Sequence, residues 1–333
     1  QRLHRAYFHS PGEEPPSMDG ESLLFPNGMA ALQAILLHIR QAEAWEHRQP
    51  GDKPRPVGAR DLYYEVDQLL ASTFDDGAGG FQRLNDLSPR ALARWVHDER
   101  PQAVFLAPFR NDASLASFDI EGFLEALAEL DWPWERHAPD IRIVIDNTVA
   151  GRLACWKRFD ARRLDQRFKL FSFESLIKYA EDGQEAAPGA LVTVIGAHEA
   201  GGLKGIRTSQ GFTPNELAAR RIAAAVQPDL VDRNLARHSR NAMEFAGALA
   251  RQSAALPWSF LKEIRLPAVE NGQRPLLLGA GGLCALGMDF SFLPTYEERY
   301  ERGNEPPRLG PEEPPASRHE QPVPPFKYNE RMR

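Results

Sequence analysis

The chain has 333 residues, 42% hydrophobic and 26% charged, with a formal net charge of −6. That length supports one large domain and one smaller one around a sizeable core, and an acidic balance without a basic stripe argues against a nucleic-acid surface. A small-molecule ligand is the default expectation. Cys155 and Cys284 are the only cysteines, and without CxxC spacing they suggest neither a disulfide framework nor a zinc site, which fits a reducing cytoplasm. No apolar run reaches the ~18 residues of a membrane span, and the basic, His-containing start lacks a signal-peptide core. The sequence opens at Gln1 rather than at methionine, which leaves room for a preceding segment.

Pro26-Asn27-Gly28 supplies a turn, and Met29, Leu32, Ile35, Leu36 and Ile39 then follow helical spacing, predicting a helix opened by a glycine. Ala103 to Pro108 and Ile141 to Ile145 are short apolar runs ending in turn or polar residues, as buried parallel strands do. Helical segments near 90 to 98 and 119 to 130 alternate with them, the pattern of an α/β fold. Ala190 to Ile195 is a further strand candidate.

The glycines of Ala200-Gly201-Gly202-Leu203-Lys204-Gly205 lack the context of a dinucleotide loop and are expected to form a mobile loop. After Gly211, Pro214 to Val226 and Asp229 to Leu256 are two helical stretches. The change from a large to a small domain is placed here, giving residues 1–211, 212–300 and a Pro-, Glu- and Arg-rich tail over 301–333, expected to be extended.

Four positions suit one ligand. Gly28 stands at the mouth of a helix, where bare amides and the positive dipole end suit a phosphate; a plain turn glycine is the simpler alternative. Asp146 closes the run Ile141-Arg142-Ile143-Val144-Ile145-Asp146, at the strand edge where open α/β sheets bind ligands. An Asx turn over Asp146-Asn147-Thr148 is its competing explanation. Lys178 follows Phe171, Phe173, Leu176 and Ile177, apolar surroundings that lower a lysine pKa and free its amine, although most lysines are solvated. Ser175, three residues earlier, is placed to offer a hydroxyl. An aspartate that keeps a pyridine nitrogen protonated and a lysine that forms a Schiff base are what a pyridoxal-phosphate enzyme needs. His137, His198 and His238 share no metal-ligand spacing, and no metal is expected.

Together these segments resemble the Cys/Met-metabolism group of fold-type I pyridoxal-phosphate enzymes, which includes cystathionine γ-synthase, the cystathionine lyases and methionine γ-lyase. The group's SGMAA is matched by Asn27-Gly28-Met29-Ala30-Ala31, and YGGTY at its start by Tyr63. E-x-P-x-N-P is loosely similar to Ala107-Pro108-Phe109-Arg110-Asn111-Asp112, and VDNT is Ile145-Asp146-Asn147-Thr148. S-A-T-K-Y appears as Ser175-Leu176-Ile177-Lys178-Tyr179, and R-x-x-x-H-x-x-N-A is similar to Asn234 through Ala242. The matches keep their order from Asn27 to Ala242.

The resemblance implies a large domain built on a mostly parallel sheet with helices on both faces, plus a smaller C-terminal α/β domain. It further implies that Lys178 forms the internal aldimine and shuttles protons, and that Asp146 pairs with the pyridine nitrogen. Tyr63 would stack on the ring and serve as acid or base, while Gly28, Met29 and Ser175 hold the phosphate. Asn111 would sit near the cofactor hydroxyl or the substrate carboxylate, and Arg333 is a candidate for binding that carboxylate, with a merely charged tail as the alternative.

The departures are equally specific. Ile177 replaces a phosphate-binding threonine, and Tyr64 and Glu65 replace glycines after the stacking tyrosine. No match to the group's Tyr-x-Arg arm precedes Gly28, so either the arm is missing from this sequence or another group serves. The implied activity is β- or γ-elimination, or γ-replacement, on an amino acid with a side-chain leaving group. The implied assembly is a homodimer or homotetramer with shared sites. An aminotransferase, or a scaffold that binds a ligand or partner without catalysis, is the alternative.

Overall fold

Ala103–Leu106 is buried at every residue and Ile141–Asp146 at every residue but the last, the pattern of strands covered on both faces. In the computed structural model the described residues are 20–46, 55–74, 80–109, 117–133, 140–151, 159–177, 188–195 and 197–226, with isolated helical positions between 233 and 251 and two strands at 261–265 and 285–288. The chain divides into two units, Gln1–Met288 and Asp289–Arg333, and the second lies outside the described residues.

The described elements are, in order, β1 (Gly20–Phe25), α1 (Gly28–Glu46), β2 (Val57–Arg60), α2 (Tyr64–Phe74), β3 (Phe81–Arg83), α3 (Pro89–Glu99), β4 (Ala103–Leu106) and α4 (Ile120–Glu129). There follow β5 (Ile141–Asp146), β6 (Phe168–Ser175), β7 (Ala190–Ile195), α5 (Ala197–Ser209), α6 (Glu216–Ala225), β8 (Leu261–Arg265) and β9 (Ala285–Met288). Seven strands form one sheet in the order β1-β7-β6-β5-β4-β2-β3, and β8 pairs with β9 separately.

Strands β2 to β6 are paired in parallel, while β7 runs antiparallel to both β6 and β1. Two reversals restore direction, so β1 points the same way as β5 and β6. The turn after β1 therefore delivers α1 to the edge at which β5 and β6 end.

Helices cover both faces. On one, residues of α1, α2 and α5 pack with Val57, Ala59, Ala103, Phe105, Val144, Phe171, Phe173, Val192 and Val194. On the other, α3 and α4 pack with Val104, Leu106, Ile141, Ile143, Ile145 and Leu170. The caps agree with the chain's local chemistry: Ser88 with Pro89 opens α3, Asp119 opens α4 and Asn215 opens α6, each side chain accepting a first-turn N–H.

The predicted strand at 190 to 195 and the helices near 90 to 98 and 119 to 130 stand where the sequence puts them. The glycine-opened helix runs on to Glu46. Expectation and structure part at Ala200 to Gly205. In place of a mobile loop, these residues lie inside α5, because the helix must pass close to α1. A Cβ on Gly202 would stand 2.7 Å from His38 Cε1, so the glycine is a packing requirement that outweighs its poor helix propensity. The segment 229–256 and the tail at 301–333 lie largely or wholly outside the described residues.

Beneath this crossing, a buried polar cluster ties α1 and α5 to β5. His38 Nε2 and Glu199 Oε2 are 2.6 Å apart, and the wholly buried Arg142 brings Nε within 3.7 Å of the same oxygen. Burial pushes the Glu199 carboxyl up, but the His38 hydrogen bond and the charges of Arg142, His38 and Lys169 together outweigh it and hold the group below its usual range. A depressed carboxyl contributes stability above its unfolded pKa and loses it as pH falls through the folded value. Glu199→Gln is therefore expected to lower the unfolding midpoint at pH 7. The gap to wild type should shrink as the pH is taken below about 4, measured by thermal melts across pH.

Candidate active site

The edge where β5 and β6 end gathers the candidate groups. Asn27 caps α1: its Oδ1 accepts the Ala30 N–H at 2.8 Å and its carbonyl accepts the Ala31 N–H at 3.1 Å. The side chain and carbonyl of Asn27 thus close the first turn of the helix. The amides of Gly28 and Met29 precede these and have no acceptor within the helix. Together with the positive end of a 19-residue helix they form a mouth suited to an anion. Met29 is 39% exposed there.

Ser175 closes the mouth from the sheet side. Phe171 and Phe173 pack on the α1 face, and strand alternation puts Ser175 on that face too. A Cβ built on Gly28 would stand 3.4 Å from Ser175 Cβ and 3.7 Å from its Oγ. The glycine and the serine are neighbours across the helix–sheet boundary, with Cβ-sized space between them.

Asp146 follows the same alternation from Val144 and faces the α1 side at the end of β5. It is half-buried. Burial pushes its carboxyl above the ordinary range, while hydrogen bonds from the Thr148 hydroxyl and backbone N–H oppose the rise. The amide bond, Thr148 N to Asp146 Oδ1, is 3.0 Å. The Asx turn is therefore real, and it coexists with a carboxylate that has no cation partner among the described residues. Thr148 Oγ1 in turn accepts the Ser175 N–H at 3.1 Å. Asn147, fully buried, donates from Nδ2 to the Gly151 carbonyl at 2.6 Å and to Glu174 Oε2 at 3.2 Å.

Tyr63 arrives at the same edge, two strands along the sheet from β5, in the short link between β2 and α2. It is 43% exposed. Its carbonyl accepts the Asp67 N–H at 3.0 Å, and its ring centroid lies 4.7 Å from that of Tyr64. The Tyr64 hydroxyl donates to Glu65 Oε1 at 3.1 Å. Hydrogen bonds with Glu65 and then Tyr63 lead the causes that push its pKa up to about 12, so Tyr64 keeps its proton near neutral pH. The link turns sharply at Asp61, whose φ of 59° is held by its N–H bond to Asn85 Oδ1 and by an ion pair with Arg60 at 3.1 Å. No motif in the sequence marks that turn.

The structure thus brings Gly28, Met29, Asp146 and Ser175 together and carries Tyr63 to the same edge. Lys178, Asn111 and Arg333 lie outside the described residues. Lys178 follows Ile177, the last described residue after β6. Sequence reading missed Thr148 as a participant, although the Asp-Asn-Thr spacing that suggests an Asx turn is the signal that holds it. Among the described residues no helix is long and apolar enough to cross a membrane.

No family model matches the sequence, and no curated protein does. Solved structures do match. The chain is similar to apo CalE6, a methionine gamma lyase from Micromonospora echinospora, at 16% identity over 80% of this chain and 61% of that one, with a TM-score of 0.53. It is similar to cystathionine gamma synthase from Xanthomonas oryzae pv. oryzae in complex with aminoacrylate and cysteine, at 17% identity over 80% and 61%, with a TM-score of 0.55. The metB structure from Corynebacterium glutamicum matches at 18% identity over 75% and 55%, with a TM-score of 0.52. The likeness is one of fold, and this chain spans about three fifths of those structures' length or less.

Two outcomes follow from the site geometry. A carboxyl whose folded pKa is raised contributes stability that is present below its unfolded pKa and lost as pH rises through the folded value. Asp146→Asn keeps an oxygen for the Thr148 N–H, and it is expected to raise the melting temperature of the ligand-free protein at pH 7. Asn27→Ala removes the cap of α1 and should cost about 1 kcal/mol, read by urea unfolding.

Proposed function

We propose that this chain is a pyridoxal-phosphate-dependent enzyme that eliminates or replaces the β- or γ-substituent of an amino acid with a side-chain leaving group. The observation that carries the reading is the placement of Asp146 on the α1 face of the sheet edge, beside the mouth formed by Gly28, Met29 and Ser175. The fit is chemical. A half-buried carboxylate without a described cation suits a protonated ring nitrogen, and two helix-opening amides beside a serine hydroxyl suit a phosphate.

Pyridoxal phosphate, when bound, supplies the electron sink that makes the Cα proton of an amino acid acidic. The chain's own residues would do the rest. Asp146 holds the ring nitrogen charged, and Gly28, Met29 and Ser175 orient the phosphate. Lys178 anchors the cofactor through Nζ and moves the proton at Cα. Tyr63 stacks on the ring and hands a proton to the leaving group. Asn111 and Arg333 are assigned to the cofactor hydroxyl and the substrate carboxylate. Tyr64 and Glu65, bulky and polar where the related motif carries glycines, reshape the mouth and point to a substrate other than cystathionine, a sulfur amino acid or a specialised analogue.

The reading includes a cytoplasmic homodimer or homotetramer and a small domain over 212–300. Ile177, which offers no hydroxyl to a phosphate, favours one competing reading: a scaffold that binds a ligand or partner without catalysis. Aminotransfer on the same fold shares the first proton step.

The test is uptake of pyridoxal phosphate by the purified protein. Wild type is expected to gain a visible absorbance band, lost in Lys178→Ala. Asp146→Asn is expected to bind the cofactor about tenfold or more weakly, the size of a lost interaction with a charged partner. A screen of amino acids should then release ammonia and a 2-oxo acid from at least one of them. A pyridoxamine product would indicate aminotransfer, and cofactor binding with no turnover would indicate the scaffold.

A further inference from the structure

Thr148 is the residue through which the two anchoring groups touch. Its N–H donates to Asp146 Oδ1 at 3.0 Å, and its Oγ1 accepts the Ser175 N–H at 3.1 Å. A hydroxyl has one hydrogen to give. The oxygen of that hydroxyl takes the Ser175 amide while the threonine's own amide holds Asp146, so one residue links the Ser175 main chain to the carboxylate.

The bond from Ser175 also replaces a step of the sheet. The β5–β6 register ends at Asp146 opposite Phe173, and the Asn147 N–H still donates to the Phe173 carbonyl at 2.8 Å. In a regular parallel ladder the Ser175 N–H would go next to the main chain of the opposite strand. Here a side chain takes it. An Asx turn needs only a backbone N–H at the third position, which nearly any residue supplies. The threonine hydroxyl is therefore an addition to the turn, and it joins two strand ends.

We infer that Thr148 is a positioning residue that ties the Asp146 carboxylate to the main chain at Ser175, so that the ring-nitrogen partner and the phosphate partner of the cofactor are held as one unit. The inference rests on the pyridoxal-phosphate reading of this site.

The test compares wild type with Thr148→Val, which keeps the turn N–H and the shape but loses the hydroxyl, and with Thr148→Ser, which restores it. Three quantities are read: affinity for pyridoxal phosphate by titration of the ligand-free protein, the pH dependence of the visible band, and hydrogen exchange of the Ser175 amide without cofactor. Thr148→Val should bind about tenfold or more weakly, shift the pH profile and speed Ser175 exchange, while Thr148→Ser stays close to wild type in all three. Equal binding and an equal pH profile in wild type and Thr148→Val overturn the inference and leave the proposed function standing. A wild type that takes up no pyridoxal phosphate overturns the proposed function and the inference with it. Should Thr148→Val fail to fold, exchange in wild type decides: a protected Ser175 amide supports the tie, and one as fast as an exposed amide overturns it.

Discussion

Because β7 runs against both of its neighbours, β1 ends on the same edge as β5 and β6, and α1 begins there. The meeting of the α1 mouth with the ends of β5 and β6 depends on that direction. The amides of Gly28 and Met29 meet Ser175 only because the helix enters from that edge, and Asp146 shares the neighbourhood only because β5 points the same way. Had β1 paired in the opposite sense, the dipole of α1 would have been aimed away from the two strand ends. The loops at this edge carry polar groups, while the sheet beneath them is mostly apolar, and this edge is where α/β folds concentrate ligand binding.

The seat of α1 is fixed at two levels. At the edge, Asn27 closes the first turn. Deeper in, the His38–Glu199–Arg142 cluster locks the helix against α5 and against the early part of β5. Arg142 and Asp146 lie on one face of one strand, four residues apart, roughly 13 Å along it. The strand thus carries an ion-paired buried arginine at one end and a carboxylate lacking a described cation at the other. Under the proposed function, that asymmetry separates a structural ion cluster from a group reserved for the cofactor. A carboxyl pushed up by burial weakens the ligand-free fold, and such strain is characteristic of sites whose partner is a ligand.

Much of this arrangement is legible in the sequence. Mostly apolar runs identify β4, β5 and β7, helical spacing identifies α1, and the order of Gly28, Asp146 and Ser175 along the chain anticipates their meeting. Strand β6 is harder to read, because Lys169 and Glu174 interrupt its apolar residues, and β2 is too short to show a period. The helix at Ala200 to Gly205 is hidden by its glycines, of which Gly202 answers to His38 on a distant segment rather than to its own neighbours. Thr148 is hidden for a similar reason. Its local pattern explains the turn, whereas its bond to Ser175 spans 27 residues and exists only once β5 and β6 lie side by side.

The central claim is that the edge formed by α1, β5 and β6 is a pyridoxal-phosphate site. A crystal structure of the protein grown with pyridoxal phosphate tests it most directly. The account predicts the phosphate against the amides of Gly28 and Met29 and the hydroxyl of Ser175, the ring nitrogen on Asp146, and continuous density from the cofactor to Lys178. Cofactor bound elsewhere, or this edge filled by protein side chains that leave no room for it, would contradict the account.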